Sequence, residues 1–152
     1  MTIVIPGMVT ISLLSLFYCS MLPETGRKAR MQAFERQYIA HRGFHDNRRE
    51  CPANSLPALE RAIQMGYGIE LDVQLTKDGV PVVFHDWDLK RAAGVDRKIR
   101  DCTFEELQSY RLFGSSQTIP AFETVLELAD GRTPLIIELK AEIVHRELCE
   151  KC

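Results

Sequence analysis

The chain has no surplus of charge of either sign. Nineteen lysines and arginines stand against twenty-one aspartates and glutamates, for a net charge of -2 with histidine neutral. A nucleic-acid binder needs a concentrated positive face, and the clusters Arg27-Lys28-Ala29-Arg30 and Arg48-Arg49 are too short to supply one. It also lacks a disulfide framework: the five cysteines (Cys19, Cys51, Cys102, Cys149, Cys152) are odd in number and fit a reducing compartment better than secretion. Cys149 and Cys152, with His145 one helical turn before them, lack the second ligand pair of a structural zinc site and read as a helix end. Internal repeats and low-complexity tracts are missing too. What remains is a globular composition, 45% hydrophobic and 26% charged, in 152 residues, enough for one domain or a piece of a larger one.

The most consequential absence is local. From Met1 to Pro23 no side chain is charged, and Ile, Val, Leu, Met and Phe dominate. An uncharged apolar run above about 18 residues is long enough to span a bilayer. A cleaved signal peptide would carry a positive start, which is missing, and small residues at its cut, where Phe17 and Tyr18 are bulky. Residues 1–23 are therefore expected to form a transmembrane anchor. Arg27, Lys28 and Arg30 follow directly, so the positive-inside rule places the rest in the cytoplasm. Residues 24–37 read as a juxtamembrane linker and 38–152 as the folded domain.

Within that domain, Tyr38 to His41 is a short apolar run that predicts a buried strand. Asn54 or Ser55 caps a helix that tolerates Pro57 in its first turn and buries Leu56, Leu59, Ala62 and Ile63. Gly68 to Leu75 is the next strand, and strand-helix-strand order calls for a parallel pair. Only Thr76-Lys77-Asp78-Gly79 precedes the next apolar run, Val80 to His85, too short for a parallel crossover. Asp78-Gly79 as a two-residue hairpin loop predicts Asp72 opposite His85, on one face of the sheet. Thr103-Phe104-Glu105-Glu106 is a capping box, expected to open a helix through about Leu112. Phe122, Val125, Leu126 and Ala129 form a second apolar stripe, Leu135 to Lys140 a strand, and Glu142 onward another helix. The fold class is α/β, with three parallel strands and one returning hairpin arm.

Strand alternation puts Glu70 and Asp72 on one face and Ile69, Leu71 and Val73 on the other. Two carboxylates turned into a fold are costly unless positive charge lies between them. Glu138 repeats the arrangement on a later strand, and three carboxylates make an oxygen-only ligand set suited to Mg²⁺ or Ca²⁺. His41 and His85 end their apolar runs, each beside an ion, Arg42 or Asp86. Cleaving a phosphodiester takes a base and an acid, and imidazole serves as either near neutral pH. Arg42 and Lys140 are placed to hold phosphate oxygens.

Several segments together resemble the glycerophosphodiester phosphodiesterase signature: Ala40-His41-Arg42-Gly43, Pro52-Ala53-Asn54-Ser55, Glu70-Leu71-Asp72-Val73, the stretch from Thr76 to Asp86, and Glu138-Leu139-Lys140. Membrane-anchored bacterial members look especially similar. The resemblance implies a (β/α)8 barrel with its site at the strand C-terminal ends. It implies metal binding by Glu70, Asp72 and Glu138, acid/base work by His41 and His85, and phosphate contacts from Arg42 and Lys140. The implied reaction releases sn-glycerol 3-phosphate and an alcohol from a glycerophosphodiester substrate with a divalent cation; the nucleophile is left open between water and the substrate's own hydroxyl.

Two departures stand out. Ala53 occupies a position where the family usually has Glu. The stretch beyond the linker, 38–152, is also far short of the roughly 250 residues of a barrel. The expectation is an N-terminal fragment of the domain, inactive and prone to aggregate alone. Competing expectations are a non-catalytic, membrane-anchored half-barrel acting as a binding or assembly module, and a phosphodiesterase directed at lysophospholipids or sphingolipids.

Overall fold

A computed structural model describes residues 32–140 of the chain. The uncharged run 1–23, most of the 24–37 linker, the helix expected from Glu142 and the Cys149 and Cys152 pair lie outside those residues. Among the described residues no helix is long and apolar enough to cross a membrane. The chain divides into two compact units, Met1–Glu35 and Arg36–Cys152. The described part of the first is one 3-10 turn, Gln32–Phe34; the second carries an α/β fold.

Its elements are β1 (Ile39–His41), α1 (Leu56–Gln64), β2 (Gly68–Leu75), β3 (Pro81–Val83), α2 (Lys90–Ala93), α3 (Phe104–Leu107), α4 (Phe122–Ala129) and β4 (Leu135–Leu139). β1 and β4 run parallel to β2, and β3 antiparallel to it, as the chain's spacing predicts. Ile69 pairs with Ala40 and with Leu135, and Val73 with Val83 and with Leu139. A strand has two edges, so β1 and β3 lie end to end along one edge of β2 while β4 holds the other. Among the described residues the outer edge of β4 has no strand beside it, and Ile136, Ile137 and Leu139 are exposed.

Alternation along β2 separates two environments. Ile69, Leu71 and Val73 are buried with Leu59 and Ala62 of α1 and with Phe122 and Val125 of α4. Each of the larger of these side chains contributes roughly 1.5–3 kcal/mol of hydrophobic burial, which fixes the register of the strand that carries Glu70, Asp72 and Gln74 on its opposite face. A second apolar cluster gathers Val82, Phe84, Leu89, Ile99, Leu107, Leu112 and Ile119 from the segment after β3.

Three expectations are corrected here. The hairpin pairs Val73 with Val83 and Leu75 with Pro81, one residue away from the predicted register. Its loop has three residues, Lys77-Asp78-Gly79, closed by Thr76 N–H donating to Val80 O at 3.1 Å, with Gly79 at φ 74°. Thr76 Oγ1 decides this, donating to Asp78 Oδ1 at 2.6 Å and accepting from Val80 N–H at 2.9 Å. Phe84, not His85, stands opposite Asp72, its N–H donating to Asp72 O at 2.9 Å. The capping box forms as expected, but α3 ends at Leu107. Leu107 and Leu112 are both buried, and residues five apart lie on different faces of an α-helix, so a continued helix could not bury both. Leu126 is 44% exposed; the buried stripe of α4 is Phe122, Val125 and Ala129.

After β1 the chain turns sharply, with Arg42 at φ 57° and Gly43 at φ 81°. A Cβ on Gly43 would lie 2.7 Å from the Ala58 carbonyl carbon and 2.8 Å from its oxygen, in the first turn of α1. Backbone cannot yield as a side chain can. Gly43→Ala is expected to cost about 2 kcal/mol or more through strain and overlap together, seen as a lower Tm; an unchanged Tm would contradict this packing.

Candidate active site

The register of the parallel strands brings charged residues to one place. His41 pairs with Glu70 across β1 and β2, and Asp72 pairs with Glu138 across β2 and β4. Paired residues in a sheet project from the same face, so carboxylates far apart in sequence converge. One oxygen each from Glu70, Asp72 and Glu138 lie within 4.8 Å of one another. The ladder continues one step past β4, Lys140 N–H donating to Val73 O at 2.8 Å, which brings Lys140 to the same end.

Asp72 is the centre of this group and is fully buried. Arg42 Nε lies 3.3 Å from its Oδ2, and Lys140 Nζ lies 3.2 Å from its Oδ1 and 2.9 Å from Glu138 Oε1. Asn54 Nδ2 donates to Asp72 Oδ2 at 3.1 Å. Burial pulls the Lys140 ammonium down, but its contacts with Glu138 and Asp72 outweigh this and raise its pKa above the ordinary value. His41 Nε2 is 3.7 Å from Glu70 Oε2, and Arg42 N–H donates to the same oxygen at 3.3 Å.

The donor set suits a hard cation. Asn54 Oδ1 is a buried oxygen without a hydrogen-bond donor, and buried Asp72 Oδ1 has the Lys140 ammonium at 3.2 Å as its one polar neighbour outside the trio. Buried polar atoms of this kind are uncommon in folded proteins, and oxygen ligands are what Ca²⁺ and Mg²⁺ take. Three carboxylates against the two cations Arg42 and Lys140 leave a net demand for positive charge.

His85 has different surroundings. It lies two residues past the end of β3, and its Nδ1 is 2.7 Å from Asp86 Oδ1. Arg91 in α2 grips the same carboxylate twice, from Nε at 2.7 Å and Nη2 at 3.0 Å. Burial works against the charged form of Asp86, but the hydrogen bonds from Arg91 and His85 prevail and hold it below the ordinary carboxylate value. Among the described residues His85 forms its ion pair with Asp86 and none with the carboxylate trio. Every site residue expected from the sequence is thus in one of two clusters, joined through the Phe84–Asp72 backbone bond.

Residues not anticipated as site components are Asn54, Gln74 and Arg91. Asn54 was a candidate helix cap; the cap is Ser55, and Asn54 adopts φ 62° with its amide on Asp72. Its signal in the sequence was the Asn-Ser pair at the end of a loop, which fits a turn equally well. Gln74 continues the Glu70, Asp72 alternation and could have been found that way. Ala53, at the position of the departure, donates its N–H to Asn47 Oδ1 at 2.8 Å, so the loop has its own brace there.

The family model described as "Glycerophosphoryl diester phosphodiesterase family" matches residues 41–150. A glycerophosphodiester phosphodiesterase of Bacillus altitudinis is 42% identical over 109 residues, covering 67% of this chain and 43% of its own length. A lysophospholipase D of Mus musculus is 31% identical over 159 residues, covering 94% of this chain and 47% of its own length. Among solved structures, an Oleispira antarctica phosphodiesterase in complex with the product sn-glycerol-3-phosphate superposes with TM-score 0.68 at 32% identity, covering 78% of this chain and 51% of that one. The chain spans about half the length of the curated relatives it matches.

Proposed function

The chain belongs to the glycerophosphoryl diester phosphodiesterase family, and we propose that it carries the cation- and proton-handling part of an enzyme that hydrolyses glycerophosphodiesters to sn-glycerol 3-phosphate and an alcohol. The observation that carries this reading is the convergence of Glu70, Asp72 and Glu138 within 4.8 Å beside two fixed cations. Similarity to a phosphodiesterase whose complex holds sn-glycerol-3-phosphate supports the substrate class. The same similarity supports reading the sheet as the opening portion of a (β/α)8 barrel. The uncharged run 1–23 supports a membrane tether for the whole.

Glu70, Asp72 and Glu138 would hold Ca²⁺. Ca²⁺ accepts several carboxylates in flexible geometry, whereas Mg²⁺ is usually held by one or two with water completing its shell, so three carboxylate oxygens within 4.8 Å of one another favour Ca²⁺. A bound cation supplies Lewis-acid polarisation of a phosphoryl oxygen. Arg42 and Lys140 bind the remaining phosphate oxygens and hold phosphorus against the trio. His41 and His85 move the protons: one takes a proton from the attacking oxygen, the other gives one to the departing alkoxide. His85 donates from Nδ1 to Asp86, which leaves Nε2 for the exchange. The test is turnover of glycerophosphocholine, or another glycerophosphodiester, by the protein that carries this sequence. Chelation is expected to remove activity, Ca²⁺ to restore it, and Mg²⁺ to restore less; undiminished turnover in excess chelator would reject the cation role.

A second reading has its own support, the similarity over 94% of this chain to a lysophospholipase D. A lysophospholipid presents the same phosphodiester with an acyl chain attached, so the same residues would act. Release of headgroup from lysophosphatidylcholine at a rate exceeding that from glycerophosphocholine would favour it.

A further inference from the structure

We propose that Gln74 and Arg91 are positioning residues for His85; the inference rests on the proton-transfer reading of that histidine. The corrected hairpin register creates the need. β3 ends at Val83, so the regular ladder does not reach His85. A side chain on a short loop would wander by more than the half-ångström or so that proton transfer tolerates. The fold supplies two anchors instead.

The first is Gln74, buried on the face of β2 that also bears Glu70 and Asp72. Its Nε2 donates to Phe84 O at 2.7 Å and to Asp86 O at 2.9 Å, the carbonyls on either side of His85. One amide nitrogen has two N–H donors, and both are spent on these bonds. Two bonds to flanking carbonyls hold the peptide planes and so the direction of the His85 Cα–Cβ bond, which a single bond would leave free to swivel. The second anchor is Arg91, whose two bonds to Asp86 fix the carboxylate that receives His85 Nδ1. Bidentate guanidinium pairing fixes orientation as well as distance. Gln74 therefore sets where the histidine is, and Arg91 sets which way its ring faces. Both act through the Phe84 to Asp86 segment.

Gln74→Glu keeps the shape and removes both donors; Arg91→Gln removes the fork from a residue whose side chain is half exposed, with little risk to folding. Each is expected to lower kcat about 10- to 100-fold on a glycerophosphodiester, with KM and the Ca²⁺ activation constant within about twofold of the parent. In a His85→Ala background the same substitutions should lower kcat no further, because a positioning residue has nothing left to position. Arg91→Lys should recover only part of the loss, since an ammonium cannot reproduce the fork. Losses that persist undiminished in the His85→Ala background, or a parallel fall in Ca²⁺ affinity, would overturn the inference by making the effect structural or metal-borne. Wild-type kcat in Arg91→Gln would overturn it too, and would decide the matter against it should Gln74→Glu fail to fold; a His85-dependent loss in Arg91→Gln would then sustain it. If His85→Ala is itself fully active, the proton-transfer reading fails first.

Discussion

Asp72→Ala is expected to lower glycerophosphodiester turnover by roughly a thousandfold or more and to destabilise the fold by about 3 kcal/mol or more. Both effects come from one position. Asp72 is the fully buried member of the trio and accepts from, or pairs with, Asn54, Arg42 and Lys140 at once. Removing it leaves Arg42 without its carboxylate and Lys140 with Glu138 alone, on side chains only 19% and 14% exposed. Breaking one half of a buried ion pair is far worse than never having had it, because the survivor's desolvation is left uncompensated. Asp72→Asn separates the two consequences. It keeps the volume and can still meet Asn54, so its stability loss should be the smaller, while its activity loss should be nearly as large because the ligand charge is gone. Thermal melts, Ca²⁺ titration by calorimetry and turnover of glycerophosphocholine measure the three quantities. Activity within tenfold of the parent in Asp72→Ala would sink the assignment of this residue to the cation site.

Much of this arrangement was legible in the chain because it follows from strand periodicity. Glu70 and Asp72 sit two apart in a strand whose alternate residues Ile69, Leu71 and Val73 must be buried, and a period of two leaves no other face for the acids. Glu138 is two residues past Ile136 and is brought to Asp72 by the parallel register. The hairpin failed where periodicity gives way to turn chemistry. Asp78-Gly79 reads as a two-residue turn, yet the Thr76 hydroxyl bridges Asp78 and Val80 and adds a residue to the loop. One added residue reverses the face of every side chain beyond it, which is why His85 had to be held by Gln74 and not by the ladder. Asn54 was illegible because its partner Asp72 is supplied by folding, 18 residues away across a helix and a strand; Arg91 is only five residues from Asp86, a spacing that neither strand nor helix periodicity singles out.

His41→Ala and His85→Ala should each lower kcat by about 10²- to 10⁴-fold, the range for losing a general acid or base, with little change in Tm for His41, whose ring is 64% exposed, and a somewhat larger one for His85, at 34%. The two losses should differ in kind. His41 approaches Glu70 of the cation trio, whereas His85 is paired with Asp86, the carboxylate that Arg91 also grips. Two imidazoles in unlike electrostatic settings suit unlike roles. A diester with a leaving group as good as p-nitrophenolate needs no acid to expel it, so the variant lacking the acid should regain most of its rate on that substrate while the variant lacking the base should not. Such a substrate therefore assigns the roles without any assumption about the nucleophile. Recovery of both variants would mean that neither ring abstracts the first proton. Recovery of neither would mean that expulsion of the alkoxide does not depend on these histidines, and the acid would have to be another group.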